Sequence, residues 1–202
     1  MWAIRGSWNL TIKSFATAAQ NPNLAAAAKS YLALTYCILG DLSSAESAIR
    51  EAAARDPKCE FLWMAWNSFG VELAKMGYPD RALVAYSSAQ ASKPDEPELW
   101  FNMGVAYHEM GNRAQASQCY QQCVLFNPQH GAAWHNLGLI HAQEGQHEQA
   151  VRCFETIVTF EPENLQAWHD LGVSLKELGR DEESAAALGR TSDLTRAVEE
   201  NL

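Results

Sequence analysis

The sequence is short of several things, and each shortage excludes a class of protein. Basic residues are scarce: 15 Lys and Arg stand against 24 Asp and Glu, for a formal net charge of −9. A nucleic-acid-binding surface needs the opposite balance, because phosphates are neutralised by Lys and Arg. No apolar run approaches the roughly 18–20 residues that a membrane span requires, so no membrane insertion is expected. Residues 1–20 lack a basic segment followed by an apolar one, and they are not an Arg-rich transit peptide, so no targeting segment is expected. The five cysteines, Cys37, Cys59, Cys119, Cys123 and Cys153, are odd in number and fit no zinc-ligand spacing. Reduced thiols in a cytoplasmic protein are the simplest reading. Catalytic signatures are missing too: there is no phosphate-binding loop, no G-x-S-x-G and no H-E-x-x-H. The expectation is a protein that is not an enzyme and carries no cofactor and no metal.

What is present is enough to fold. Hydrophobic residues make up 48% of the chain, which excludes a disordered tail. The negative charge is uneven, with eight of the nine net charges in residues 131–202. That end favours a neutral to basic protein or peptide partner. A solvated acidic face that keeps the chain soluble explains it equally well.

An internal repeat organises the sequence. Trp66, Trp100, Trp134 and Trp168 are spaced by 34 residues. So are Gly70, Gly104, Gly138 and Gly172, and so are Gly77, Gly111, Gly145 and Gly179. Ala82, Ala116 and Ala150, then Tyr86, Tyr120 and Phe154, then Pro94, Pro128 and Pro162 keep the register. Ser184 and Leu188 take the fourth places. In residues 97–130, Trp100, Met103, Gly104 and Tyr107 form one helical stripe. Gly104 allows close approach of another helix, and Gly111 ends the first helix. Ala116, Tyr120 and Cys123 face back from a second helix, which Asn127-Pro128 stops. A single hairpin cannot bury its own apolar face, so the units must stack. A stripe tryptophan, if fully buried, should be worth roughly 3–5 kcal/mol.

This pattern resembles the tetratricopeptide repeat (TPR), whose signature runs W-x2-L-G-x2-Y, then A-x3-F, then P. The resemblance implies an all-α fold, a right-handed α-solenoid (superhelix) of helix-turn-helix repeats with a C-terminal capping helix. The divisions expected are an N-terminal helix or half-repeat over 1–25, an imperfect repeat over 26–59, and full repeats over 63–96, 97–130, 131–164 and 165–198. The first repeat is carried by Leu32, Ala33, Tyr36, Gly40, Ala45, Ile49 and Pro57. Three extra residues fall near 60–62, because Pro57 and Pro94 are 37 residues apart. Ile4, Trp8, Ile12, Phe15 and Ala19 give the first helix one apolar face. Ala187, Thr191, Leu194 and Val198 carry the last helix almost to Leu202.

The resemblance also implies that the first helices line a concave groove that holds a partner. The stripe beside the packing stripe then supplies the contacts: Asn67 and Val71, Phe101, Asn102 and Val105, His135, Asn136 and Leu139, and His169, Asp170 and Val173. Asn102, Asn136 and Asp170 share one repeat position and resemble the short end of the asparagine ladder in O-linked N-acetylglucosamine transferases. Two readings stand: the ladder bonds the backbone of an extended peptide, or each residue bonds within its own hairpin or to water. Phe101, Val105, Leu139 and Val173 add apolar surface, His135 and His169 shape and specificity. The groove positions hold no paired Lys or Arg, so they do not match the two-carboxylate clamp of chaperone-binding TPR domains. None of the six histidines forms a compact ligand motif, and the cysteines read as small apolar packing. The expected function is a non-enzymatic protein-protein interaction scaffold. The alternatives are a self-associating homo-oligomer and the substrate-recruiting arm of a larger enzyme such as a glycosyltransferase.

Overall fold

The computed structural model of the protein describes residues 2–199, with side chains from Trp8 onward except Val198. The side chains of Ile4 and Val198, assigned above to helix faces, and the whole of Leu202 lie outside the described residues. Among those residues there are eleven helices and no strand. They are α1 (Trp2–Ala18), α2 (Ala25–Ile38), α3 (Leu42–Arg55), α4 (Leu62–Lys75), α5 (Pro79–Ser92), α6 (Pro97–Glu109), α7 (Arg113–Phe126), α8 (Gly131–Gln143), α9 (His147–Phe160), α10 (Leu165–Glu177) and α11 (Asp181–Glu199).

The glycine after each first helix explains why the chain turns there. Gly40, Gly77, Gly111, Gly145 and Gly179 all have φ between 71° and 79°, a region costly for any residue with a Cβ. The residue after each glycine donates its N–H five residues back, as Asn112 does to Tyr107 O at 2.8 Å and Gln146 to His141 O at 2.8 Å. These bonds satisfy carbonyls that the helix end leaves open. Several helices begin on a matching device. Asp41 accepts from Ser44 N at 3.1 Å, Asn164 accepts from Ala167 N at 3.0 Å, and Pro79 and Pro97 occupy first-turn positions.

The chain forms two compact units, Met1–Asn112 and Arg113–Leu202. In the first, α2 pairs with α3 and α4 with α5, while α1 packs on α2 and α6 on α5. Phe15 of α1 stacks on Tyr31 of α2 with ring centroids 5.5 Å apart, and Tyr31 meets Phe61 at 5.1 Å. The core is built from small residues, Ala33, Ala45, Ala82 and Ala89, around Ile49, Leu73 and Tyr86. At Gly70 an added Cβ would lie 2.5 Å from the Tyr86 ring, so only glycine permits this hairpin's closeness. In the second unit, α8 pairs with α9 and α10 with α11, α7 packs on α8, and α9 on α10. Phe154, Ile157, Leu171, Leu175 and Ala187 fill its core.

The last helix differs from the second helices before it. Where α9 carries Val151, Ile157 and Val158, α11 carries Ala185, Thr191 and Ser192 one repeat later. Its inner side is still used, since Ala187 is buried and Leu188 lies against Gly172. A helix with one apolar side and one small polar side offers less apolar surface for a further helix than α9 does, a feature expected of a capping helix.

The tryptophan stripe departs from full burial. Trp100, Trp134 and Trp168 are only half-buried. Each indole Nε1–H donates to the carbonyl of the proline six residues earlier: Pro94 at 2.8 Å, Pro128 at 2.8 Å and Pro162 at 2.9 Å. The tryptophan therefore fastens the turn between repeats as well as packing, and the 3–5 kcal/mol expected for full burial shrinks accordingly.

Candidate functional site

The residues beside the packing stripe sit on the first helices of each repeat. In the first unit they are Asn67 and Val71 on α4, with Phe101, Asn102 and Val105 on α6, all half-buried. In the second they are His135, Asn136 and Leu139 on α8, also half-buried, with His169, Asp170 and Val173 on α10. Val173 stays 43% exposed, so its side chain is not consumed by packing.

The polar members pair sideways between neighbouring first helices. Asn102 Nδ2 donates to Asn67 Oδ1 at 2.9 Å. In the second unit His135 Nε2 lies 2.8 Å from Asp170 Oδ2. Both links join residues 35 apart, one past the repeat length. The residue after one tryptophan thus meets the residue two after the next. Asp170 carries more: His169 Nδ1 is 3.1 Å from its Oδ1, and Gln166 Nε2 lies 3.0 Å from each carboxylate oxygen. Its side chain is only 13% exposed. Burial works against ionisation, but the hydrogen bonds from His135, Gln166 and His169 outweigh it and hold the carboxyl below its ordinary value. The His135 ring also leans on Phe154, with centroids 5.9 Å apart.

The three residues of the proposed ladder are therefore not equivalent. Asn102 and Asp170 have partners within the protein. Asn136 makes no side-chain hydrogen bond to a described residue, and its amide keeps both donors and its acceptor. Gln166 was not among the residues singled out from sequence. Its signal was there, since it stands four residues before Asp170 on one helix face.

The other chemistry-bearing groups are absorbed by structure. All five cysteines are buried, and burial pushes the thiols of Cys37 and Cys153 up to about 12 and that of Cys119 to about 11. Thiols held neutral in this way are poor nucleophiles. His141 contacts Gln146 Oε1 at 2.7 Å, and His130 Nδ1 accepts from Ala133 N at the start of α8. No group of three His, Cys, Asp or Glu among the described residues could hold a metal ion. No helix among them is long and apolar enough to cross a membrane.

Comparison with known proteins agrees with this architecture. MamA, in a crystal structure, superposes with a TM-score of 0.71 at 18% identity, covering 82% of this chain and 95% of that one. YrrB, described as a TPR protein with an unusual peptide-binding site, gives 0.74 at 17% identity over 91% and 93% of the two chains. A tetratricopeptide repeat protein from Parabacteroides merdae gives 0.68 at 24% identity, covering 83% of this chain and 65% of that one. No curated protein sequence matches. The family model of the cilia and flagella-associated protein 70 middle TPR-like domain matches residues 67–195. The fold is thus an all-α TPR solenoid, and the chain belongs to the family of that middle TPR-like domain.

Proposed function

We propose that this protein is a non-enzymatic interaction module that holds an extended segment or a helix of a partner protein against its first helices. The repeat divisions 26–59, 63–96, 97–130, 131–164 and 165–198 are the register we adopt for it. The observation that carries the reading is Asn136: a half-buried side-chain amide on a first helix with no hydrogen-bond partner among the described residues. A group of this kind gains most from a partner that supplies a backbone N–H or C=O. In the same unit Leu139 and the exposed Val173 give apolar surface, and in the other unit Val105 and Phe101 give an apolar and an aromatic side chain on α6. His135 and His169, oriented by Asp170, contribute polar edges. The acidic balance of residues 131–202 favours a neutral to basic partner. YrrB, similar in fold, is described as having a peptide-binding site, which fits this use of the scaffold.

The test is a pull-down from source-cell lysate with wild type and Asn136→Ala, matched for folding by circular dichroism. Loss of a captured protein with the single change supports the reading. Asn102→Ala and Asp170→Ala serve as a separate pair, because they also break bonds between helices. Capture that survives Asn136→Ala and the other two changes together moves the binding role off the first helices.

A further inference from the structure

The turn lengthened by the extra residues changes one junction, and Trp66 of that junction helps line a hollow between α3, α4 and α5. The turn 56–61 is longer than the turns 93–96, 127–130 and 161–164. At the other junctions a first helix rests on the preceding second helix: α6 on α5, α8 on α7 and α10 on α9. α4 instead packs more on α2 than on α3. Trp66 stands nine residues after Pro57 rather than six and makes no bond like those of Trp100, Trp134 and Trp168. Its ring turns instead to Phe69, edge to face, with centroids 6.2 Å apart.

A hollow of about 300 Å³ opens here between α3, α4 and α5, within the first unit. Trp66 and Phe69 line it from α4, and Val84 of α5, 68% exposed, forms an apolar wall. Its charged lining is Glu46, Arg50 and Arg81. The one carboxylate serves both guanidiniums: Arg50 Nη2 at 2.7 Å and Arg81 Nη2 at a loose 3.5 Å. Both arginine side chains remain well exposed, at 69% and 59%. The lining thus has one positive charge in excess, in a chain of net charge −9.

We infer that this hollow is a second docking site, on the side of the second helices, for an acidic segment of a partner protein that inserts one large apolar side chain. The aromatic floor and Val84 would bury the apolar anchor, and Arg81 and Arg50 would pair with carboxylates beside it. A basic segment would meet the excess positive charge and be rejected.

The probe is a phage-displayed library of random peptides panned on the whole protein. Peptides enriched for a leucine or aromatic residue beside Asp or Glu are expected. They should lose at least about tenfold in affinity on Val84→Glu, a surface change that spares the core, and on Arg81→Glu. They should bind Asn136→Ala as tightly as wild type, which separates this site from the first-helix face. Failure to enrich peptides of this kind overturns the proposal. Enriched peptides that bind Val84→Glu unchanged, or that carry Lys and Arg in place of Asp and Glu, overturn it as well.

Discussion

Trp66 and Trp100 occupy the same repeat position in the same unit, yet only Trp100 is fastened to the turn before it. Its Nε1–H donates to Pro94 O at 2.8 Å, while Trp66 lacks such a bond. Replacing either by Phe keeps an aromatic ring and removes the donor and part of the apolar surface. The lost surface is of similar size at two half-buried rings and costs about 0.5–1 kcal/mol in each case. Trp100→Phe also loses a net hydrogen bond worth about 1 kcal/mol. The expected destabilisation is about 1.5–2 kcal/mol for Trp100→Phe and about 0.5–1 kcal/mol for Trp66→Phe. Urea unfolding followed by far-UV circular dichroism measures both, and an unchanged slope would show that the unfolded states are comparable. Equal losses, or a larger loss at Trp66, would refute the idea that the bond to proline distinguishes the two positions.

Other consequences are equally concrete. Gly138→Ala places a Cβ 2.7 Å from the Phe154 ring and should cost about 1–3 kcal/mol in urea titration; Gly189→Ala, with open space around it, should cost nothing and stabilise the helix slightly. Asp170 has a carboxyl pKa lowered in the folded state, so its stabilisation is complete above the ordinary value of 3.8 and is lost as pH falls through the folded value. Asp170→Asn should therefore lower stability near neutral pH and flatten the acid limb of a stability–pH profile, and a profile parallel to wild type would contradict the bonding described. The five buried thiols should resist a thiol reagent at neutral pH and react fully in urea; rapid native labelling of Cys37 or Cys153 would contradict their burial.

The repeat register was legible because each of its marks has one physical job. Gly77, Gly111, Gly145 and Gly179 must supply positive φ, and Gly70 and Gly138 must leave room for an aromatic ring. Such positions tolerate few substitutes, so a 34-residue period stands out in one sequence. The candidate site was less legible. Comparing like positions set Asn102 beside Asn136 and Asp170, whereas the bonds join positions offset by one, Asn67 to Asn102 and His135 to Asp170. Contacts across a stack depend on how successive helices are displaced, which a period does not state. The degree of burial of the tryptophans stayed open in the sequence, because the apolar stripe records the ring and not the reach of its N–H to a proline carbonyl. The extra residues near 60–62 were visible as an irregular spacing, but their effect, the shift of α4 onto α2, depends on packing.

The central claim is that a partner lies on the first helices, and photocrosslinking tests it most directly. A photoreactive amino acid is placed at Val173 on α10 and, as a control, at Leu125 on α7, which are 43% and 66% exposed. Cells or lysate are irradiated and the adducts sized. The account predicts a discrete protein adduct from position 173 that is lost with Asn136→Ala, and none of that size from position 125. An adduct from position 125 alone, or one from 173 that persists with Asn136→Ala, would contradict it.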